Sequence, residues 1–350
     1  MSDFLKALVK DLKDENTSIL EDGESSAEFS GCIDTGSFAL NAVLSGSLYG
    51  GVPNNKITAF AGESATGKTF FVLGVVKQFL QDNPTGGVIY YDTEAAVTRD
   101  MMATRGIDPK RVVIAEPDTI QKFRTHALKV IESYEKAPKD TRPPMLMVLD
   151  SLGLLSTSKE VEDSTEGKDV RDMTKSQLIK GAFRVLTLKL AQVGIPMLVT
   201  NHVYEVIGSY VPTKEMGGGS GLKYAASTIA FLGKKKEKDG DGDVVGNIIK
   251  IKMQKSRFTK EHSQVEVLLT FNKGLDRYYG LLEIAEKYGI FKKVSTRYEL
   301  PDGKTAFGKQ INSEPEKYYT TEVMEQLEKA VAKEFKYGMN EWLNKVFSLI

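Results

Sequence analysis

From Gly62 to Thr69 the chain reads Gly-Glu-Ser-Ala-Thr-Gly-Lys-Thr, two glycines with four residues between them, closed by a lysine and a threonine. A β-branched, apolar run (57–61) precedes it, and residues 69–81 carry apolar positions at helical spacing. This is the P-loop pattern in its proper setting, a loop that leaves a strand and opens a helix. Backbone N–H groups of Gly62, Glu63, Ser64, Ala65, Thr66 and Gly67 turn toward phosphate, reinforced by the helix N-terminus. Lys68 offers a mobile positive charge to the β- and γ-phosphates, and the Thr69 hydroxyl ligates Mg²⁺. The segment is a nucleotide site, and few folds present one this way.

The surrounding pattern agrees. Short runs rich in β-branched residues recur at 57–61, 88–91, 112–115, 145–149 and 197–200, with helical patterns at 69–81, 119–134 and 177–193 between them. Such alternation predicts an α/β fold with a mostly parallel central sheet covered on both faces. Strands predicted at 226–233, 247–253 and 264–271 follow without long helices, an antiparallel extension whose lysine-rich tip is 234–243. Beyond residue 275 the pattern turns helical at 281–291, 321–335 and 341–350, with a charged strand pair near 292–307, a small C-terminal α/β subdomain over 276–350. Phe4, Leu5, Leu8, Val9 and Leu12 mark an amphipathic N-terminal helix, and the polar stretch 15–28 reads as a linker. The expected division is therefore 1–32, 33–275 and 276–350.

Composition narrows the function. With 47 Lys+Arg against 47 Asp+Glu, net charge alone does not hold nucleic acid, although a local basic groove remains open. The lone Cys32 forbids an internal disulfide and suits a reducing, cytoplasmic compartment. His126, His202 and His262 lack zinc-site spacing. Asp239, Asp241 and Asp243 imitate a calcium loop, but Lys250 stands where the bidentate acid belongs. No apolar run approaches a membrane span, and the acidic N-terminus is not a signal peptide.

Two acids complete the candidate site. Asp150 ends the apolar strand Met-Leu-Met-Val-Leu-Asp, where ligands gather in an open α/β sheet, and suits the magnesium-holding role, which Ser151 could share. Glu94, in Tyr-Tyr-Asp-Thr-Glu-Ala-Ala, ends the preceding strand and can orient and polarise an attacking water. Acids at two strand ends suggest a hydrolase rather than a nucleotide sensor.

Seven stretches together closely resemble RecA-family recombinases, above all the UvsX-type recombinases of tailed phages: IDTGSFALNAVLSGSLYGGVPNNKITAFAGESATGKT, YYDTEAA, GIDPKRVVIAEPDT, VLDSLG, TNHVYE, EMGGGSG and QKSRFTKE. The resemblance covers about 33–312. It implies a RecA-like ATPase core, an N-terminal polymerisation arm that includes the region of Phe29, ATP and Mg²⁺ as cofactors, Glu94 as catalytic glutamate and Asp150 as Walker-B aspartate. It further implies that His202 senses the γ-phosphate, and that Lys255 and Arg257 reach a neighbour's γ-phosphate in trans. Residues 203–219 match the second DNA-binding loop. There Ile207 and Gly208 lie at the gap between base triplets, Tyr204 and Tyr210 are stacking candidates, Lys214 is a phosphate contact, and Gly217, Gly218 and Gly219 bound the loop. Residues 156–176 match the first loop, with Arg171 among its cations, and Arg184 matches a DNA-contacting arginine on the next helix.

Two departures stand out. Met101 falls where many relatives carry an adenine-stacking tyrosine. The chain ends Trp-Leu-Asn-Lys-Val-Phe-Ser-Leu-Ile, with Trp342, Phe347 and Leu349 on one face of a helical pattern, instead of in an acidic tail. The expected function is an ATP-dependent recombinase that forms a helical homo-oligomeric filament on single-stranded DNA, pairs it with homologous double-stranded DNA, and works with mediator and single-strand-binding proteins. The rivals are a hexameric RecA-fold motor, which ordinarily adds an N-terminal domain, and a filament scaffold that binds ATP without useful turnover.

Overall fold

The computed structural model describes residues 3–13, 17–20, 31–168, 172–205, 214–238, 242–271 and 274–338. Helix α1 (Asp3–Leu12) keeps its apolar residues Phe4, Leu5, Leu8 and Leu12 exposed. Strand β1 (Cys32–Ile33) pairs with β2 (Val52–Pro53), bracketing α2 (Phe38–Ser45). The alternating part follows: β3 (Ile57–Gly62), α3 (Lys68–Asp82), β4 (Gly87–Asp92), α4 (Arg99–Thr104), β5 (Val112–Ala115), α5 (Ile120–Lys136), β6 (Met145–Asp150), α6 (Ser158–Thr165), α7 (Lys175–Val193) and β7 (Met197–Glu205). After β8 (Lys214–Met216) and α8 (Ser220–Ala225) come the long strands β9 (Thr228–Lys238), β10 (Val244–Ser256) and β11 (Gln264–Thr270), then β12 (Gly274–Leu275). The last elements are α9 (Leu281–Lys287), the three-stranded β13 (Lys292–Val294), β14 (Arg297–Glu299) and β15 (Thr305–Phe307), and α10 (Gly308–Ser313), α11 (Pro315–Tyr318) and α12 (Thr321–Phe335).

The central sheet runs β12-β11-β10-β9-β3-β7-β6-β4-β5. Pairings from β9 through β5 are parallel, and those from β9 out to β12 are antiparallel, as the sequence pattern predicts. Side chains alternate strictly between two apolar layers. Phe60, Tyr90, Val148 and Leu198 face α2 and α3, while Ala59, Tyr91, Leu149 and Val199 face α5 and α7. The first layer continues without a break into α9 and α12 through Leu281, Phe291, Val323 and Leu327. Among the described residues no helix is long and apolar enough to cross a membrane.

The turn into α2 is held by a buried amide. Asn41 Oδ1 accepts from the backbone N–H of Thr35 (2.9 Å) and from its hydroxyl (2.6 Å), while Nδ2 donates to Asp34 Oδ1 (2.9 Å) and to the Leu48 carbonyl (2.9 Å). Arg277 Nη1 donates a 2.6 Å bond to Asp34, and its guanidinium carbon lies 4.0 Å over the Phe38 ring, tying this turn to the chain beyond β12. Burial alone would raise the Asp34 carboxyl, but the bonds from Arg277, Asn41 and the Gly36 N–H outweigh it and hold it below its usual value.

Three sequence expectations change. The lysines assigned to a hairpin tip are strand as far as Lys238, because the backbone ladder with β10 persists while their side chains stay in water. The helix predicted over 281–291 stops at Lys287, where Gly289 takes φ 67° and the Ile290 N–H bonds back to Ala285. The first candidate loop contains α6, capped by Thr157 and Glu160. The predicted final helix, 341–350, lies outside the described residues.

Removing the Asn41 amide leaves several buried groups unpaired. Asn41→Ala should destabilise by about 2–4 kcal/mol and lower the thermal midpoint by roughly 5 °C or more. Asp34's depressed carboxyl contributes fully at neutral pH and loses that contribution as pH falls below roughly 4, so the gap between wild type and variant should narrow in acid without closing, since the bonds to Thr35 and Leu48 do not titrate. Melts across pH check both.

Candidate functional site

The P-loop stands between the end of β3 and the start of α3. A Cβ at Gly62 would come within 2.7 Å of Thr66 Oγ1 and 2.9 Å of the Leu232 carbonyl, so only glycine fits there. Gly67 takes φ 85°, and Ala65 holds a left-handed φ of 58° that curls the loop. Lys68 is buried, and its Nζ donates to the carbonyls of Gly62 (3.1 Å) and Glu63 (2.9 Å). Burial lowers the Lys68 ammonium, and the charges of Glu94 and Asp150 work against that.

Parallel register brings the acids beside the lysine. Asp92 of β4 lies opposite Asp150 of β6, and the two strand ends are stitched by Thr93, whose hydroxyl donates to the Ser151 carbonyl (2.7 Å) and accepts from the Ser151 N–H (2.8 Å). Asp150 is buried, with one oxygen accepting from Tyr90 Oη (2.7 Å) and the other from Thr200 Oγ1. Burial and the adjacent carboxylate push the Tyr90 phenol well up, so it remains a donor. The donor set fits a hard divalent cation: the Thr69 hydroxyl and the Asp150 carboxylate, which keeps lone pairs beyond those engaged. Glu94 Oε1 accepts from Ser151 Oγ (2.9 Å) and meets His202 Nε2 at 3.4 Å. Asp92 holds this turn by accepting the N–H groups of Glu94 and Val97.

His202 is the junction. It lies opposite Gly62 in the β3–β7 ladder, and its Nδ1 stands 3.5 Å from Lys68 Nζ. With Lys68 beside Nδ1 and Glu94 beside Nε2, one imidazole links the P-loop cation to the acid. From His202 onward β7 pairs with β8, Val203 with Met216 through Glu205 with Lys214, so the expected loop starts as a hairpin stem. Arg171, Ile207, Gly208 and Tyr210 lie outside the described residues. Tyr204 is 59% exposed and packs over Gly217, where a Cβ would sit 2.9 Å from its ring. Gly218 and Gly219 take φ of 81° and 74° and press onto Ile179 and Ser176 of α7, a tightly seated turn rather than an open hinge. Lys214, expected to meet a phosphate, forms an ion pair with Glu63 of the P-loop.

Other sites lie apart. Arg184 is exposed on α7. Lys255 and Arg257 are at the far end of β10, level with Thr58 through Thr228, and Lys255 Nζ donates to the carbonyls of Lys223 (2.7 Å) and Tyr224 (3.2 Å). Four residues of β3 therefore separate them from Gly62, about 13 Å along the sheet. Met101 packs against the apolar core. Sequence reasoning missed the residues that hold Asp150, Tyr90 and Thr200, whose only signal is their place in neighbouring strands. It also missed Phe70, Arg105 and Phe271, which line the cavity beside the P-loop. Thr200→Val preserves shape but strips a donor from Asp150. The magnesium needed for half-maximal nucleotide binding should rise about tenfold or more, and a titration at fixed nucleotide checks it.

A family model described as the RecA N-terminal domain matches residues 3–276. The recombination and repair protein of Enterobacteria phage T4 is 32% identical over 254 residues, which cover 73% of this chain but only 63% of that protein. The RecA protein of Deinococcus radiodurans is 28% identical over 284 residues, covering 79% of this chain and 73% of its own length. That of Malacoplasma penetrans is 27% identical over 282 residues, covering 78% and 82%. A match of this extent, over the same strands and loops that assemble the phosphate site, makes the chain a member of the RecA family.

Proposed function

We propose that this protein is an ATP-dependent DNA recombinase. It coats single-stranded DNA as a helical filament of its own copies, pairs that strand with homologous duplex and exchanges strands, hydrolysing ATP in a DNA-stimulated way. The observation that carries this reading is the Lys68–His202–Glu94 chain at the foot of the β7–β8 hairpin. A change at the terminal phosphate is felt by the same strand that leads into the candidate DNA loop, which gives both sites one movable element.

Within the site, P-loop N–H groups and Lys68 bind the phosphates, and Glu94 orients water and takes its proton. Both bonds to Glu94 fall on Oε1, which leaves Oε2 for that water. Thr69 and Asp150 would hold magnesium, which would supply positive charge to the bound phosphates. Lys255 and Arg257 are too far from the P-loop of their own copy and suit a neighbour's nucleotide, where a cation in trans is worth about 10³–10⁵ in rate. This reading favours an open assembly whose head-to-tail contacts do not close. Sequence matching then comes from base pairing, while backbone charge and stacking hold the single strand. Mediator and single-strand-binding proteins, in the cytoplasm where the DNA is processed, complete the proposed setting.

The decisive measurement is strand exchange with ATP and magnesium, using homologous and heterologous duplexes. Product should form only with homology, and indifference to homology would overturn the reading. Glu94→Gln should lower DNA-stimulated turnover by about 10²–10⁴ while ATP-dependent DNA binding persists. Unchanged turnover in that variant would support a scaffold that does not use hydrolysis, and closed rings on DNA in electron micrographs would support a hexameric motor.

A further inference from the structure

The cavity beside the P-loop, about 1210 Å³, continues past the phosphate-binding turn. It follows one stripe of α3 through Phe70, Leu73, Gly74, Lys77 and Gln81, positions i, i+3, i+4, i+7 and i+11, and Arg105 and Gly106 wall it from beyond α4. Phe70 follows Thr69 directly and is 43% exposed, facing the cavity while Phe71, Val72 and Leu73 beside it are buried. It is not simply left in water. The Arg105 guanidinium lies 4.3 Å over the ring centre and is steadied by a 2.9 Å bond from Nη1 to the Met101 carbonyl. One turn along α3, a Cβ placed at Gly74 would meet nothing within 4 Å, so the floor beside this stack is open.

We infer that Phe70 and Arg105 form the platform for the nucleobase: the flat base of a bound nucleoside triphosphate lies against the Arg105–Phe70 stack while its phosphates occupy the P-loop. The inference rests on the ATP reading of that loop and adds where, and by what chemistry, the base is held. A guanidinium seated on an aromatic ring is planar, weakly hydrated and prone to stack on a π face. Met101, at the position where the family resemblance implies a stacking side chain, is half-buried and packs against the core, and its carbonyl serves to fix Arg105. A platform of this kind reads ring area more than ring edge. Purine triphosphates should therefore bind more tightly than pyrimidine ones.

The test is equilibrium binding of the full chain, with magnesium, to ATP, UTP and inorganic tripolyphosphate. Arg105→Ala and Phe70→Ala should each weaken ATP about five- to fiftyfold, weaken UTP less, and leave tripolyphosphate within twofold. Arg105→Lys keeps the charge without the plane and should still lose most of the ATP-specific affinity. Equal weakening of ATP and tripolyphosphate would mean that Arg105 acts only as a charge and would overturn the platform. So would a base-dependent loss in Phe271→Ala, across the cavity, with Arg105→Ala unaffected. Failure of the wild-type chain to bind either ATP or tripolyphosphate would instead defeat the nucleotide reading itself, and the platform with it.

Discussion

The parallel pairing of β3 with β7 is the constraint from which the site follows. It sets Gly62 opposite His202, so the strand that feeds the P-loop ends level with the point where β7 leaves it to form the hairpin stem. Both strands are buried on each face, and a slip of one residue would exchange their two apolar layers. Packing therefore fixes the register, and the register fixes the imidazole between Lys68 and Glu94. Asp150 is placed by the same logic, one strand further on, with Thr200 of β7 donating to it.

Local signals made much of this legible. The P-loop carries its own strand and helix, and Asp150 and Glu94 stand at the ends of recognisable strands. Contacts that depend on distant partners were not readable. Thr200 and Asp150 are 50 residues apart, and Lys214 and Glu63 are 151 apart, so their pairing exists only after the sheet forms. Lysines also misled: Lys234, Lys235 and Lys236 look like a solvated turn, but a sheet strand needs only its backbone paired, and their side chains reach water from within the ladder. Met101, which the family resemblance places at the base, is half-buried and packs against the apolar core, a contact that depends on residues far from it in sequence.

Lys255 and Arg257 stand at the rim of the sheet opposite the P-loop. Burial and the nearby Arg257 and Lys223 charges lower the Lys255 ammonium, with Glu261 opposing, so positive charge is concentrated there at a cost. A protomer with the P-loop on one rim and crowded cations on the other is polar along its strands, and the head-to-tail assembly proposed above would set those cations against a neighbour's phosphates.

The Lys214–Glu63 tie has a consequence for ionic conditions. Both side chains stand largely in solvent, so dissolved ions weaken their attraction. Added electrolyte would then release the hairpin foot from the phosphate loop, so the two neighbouring segments would move more independently as ionic strength rises.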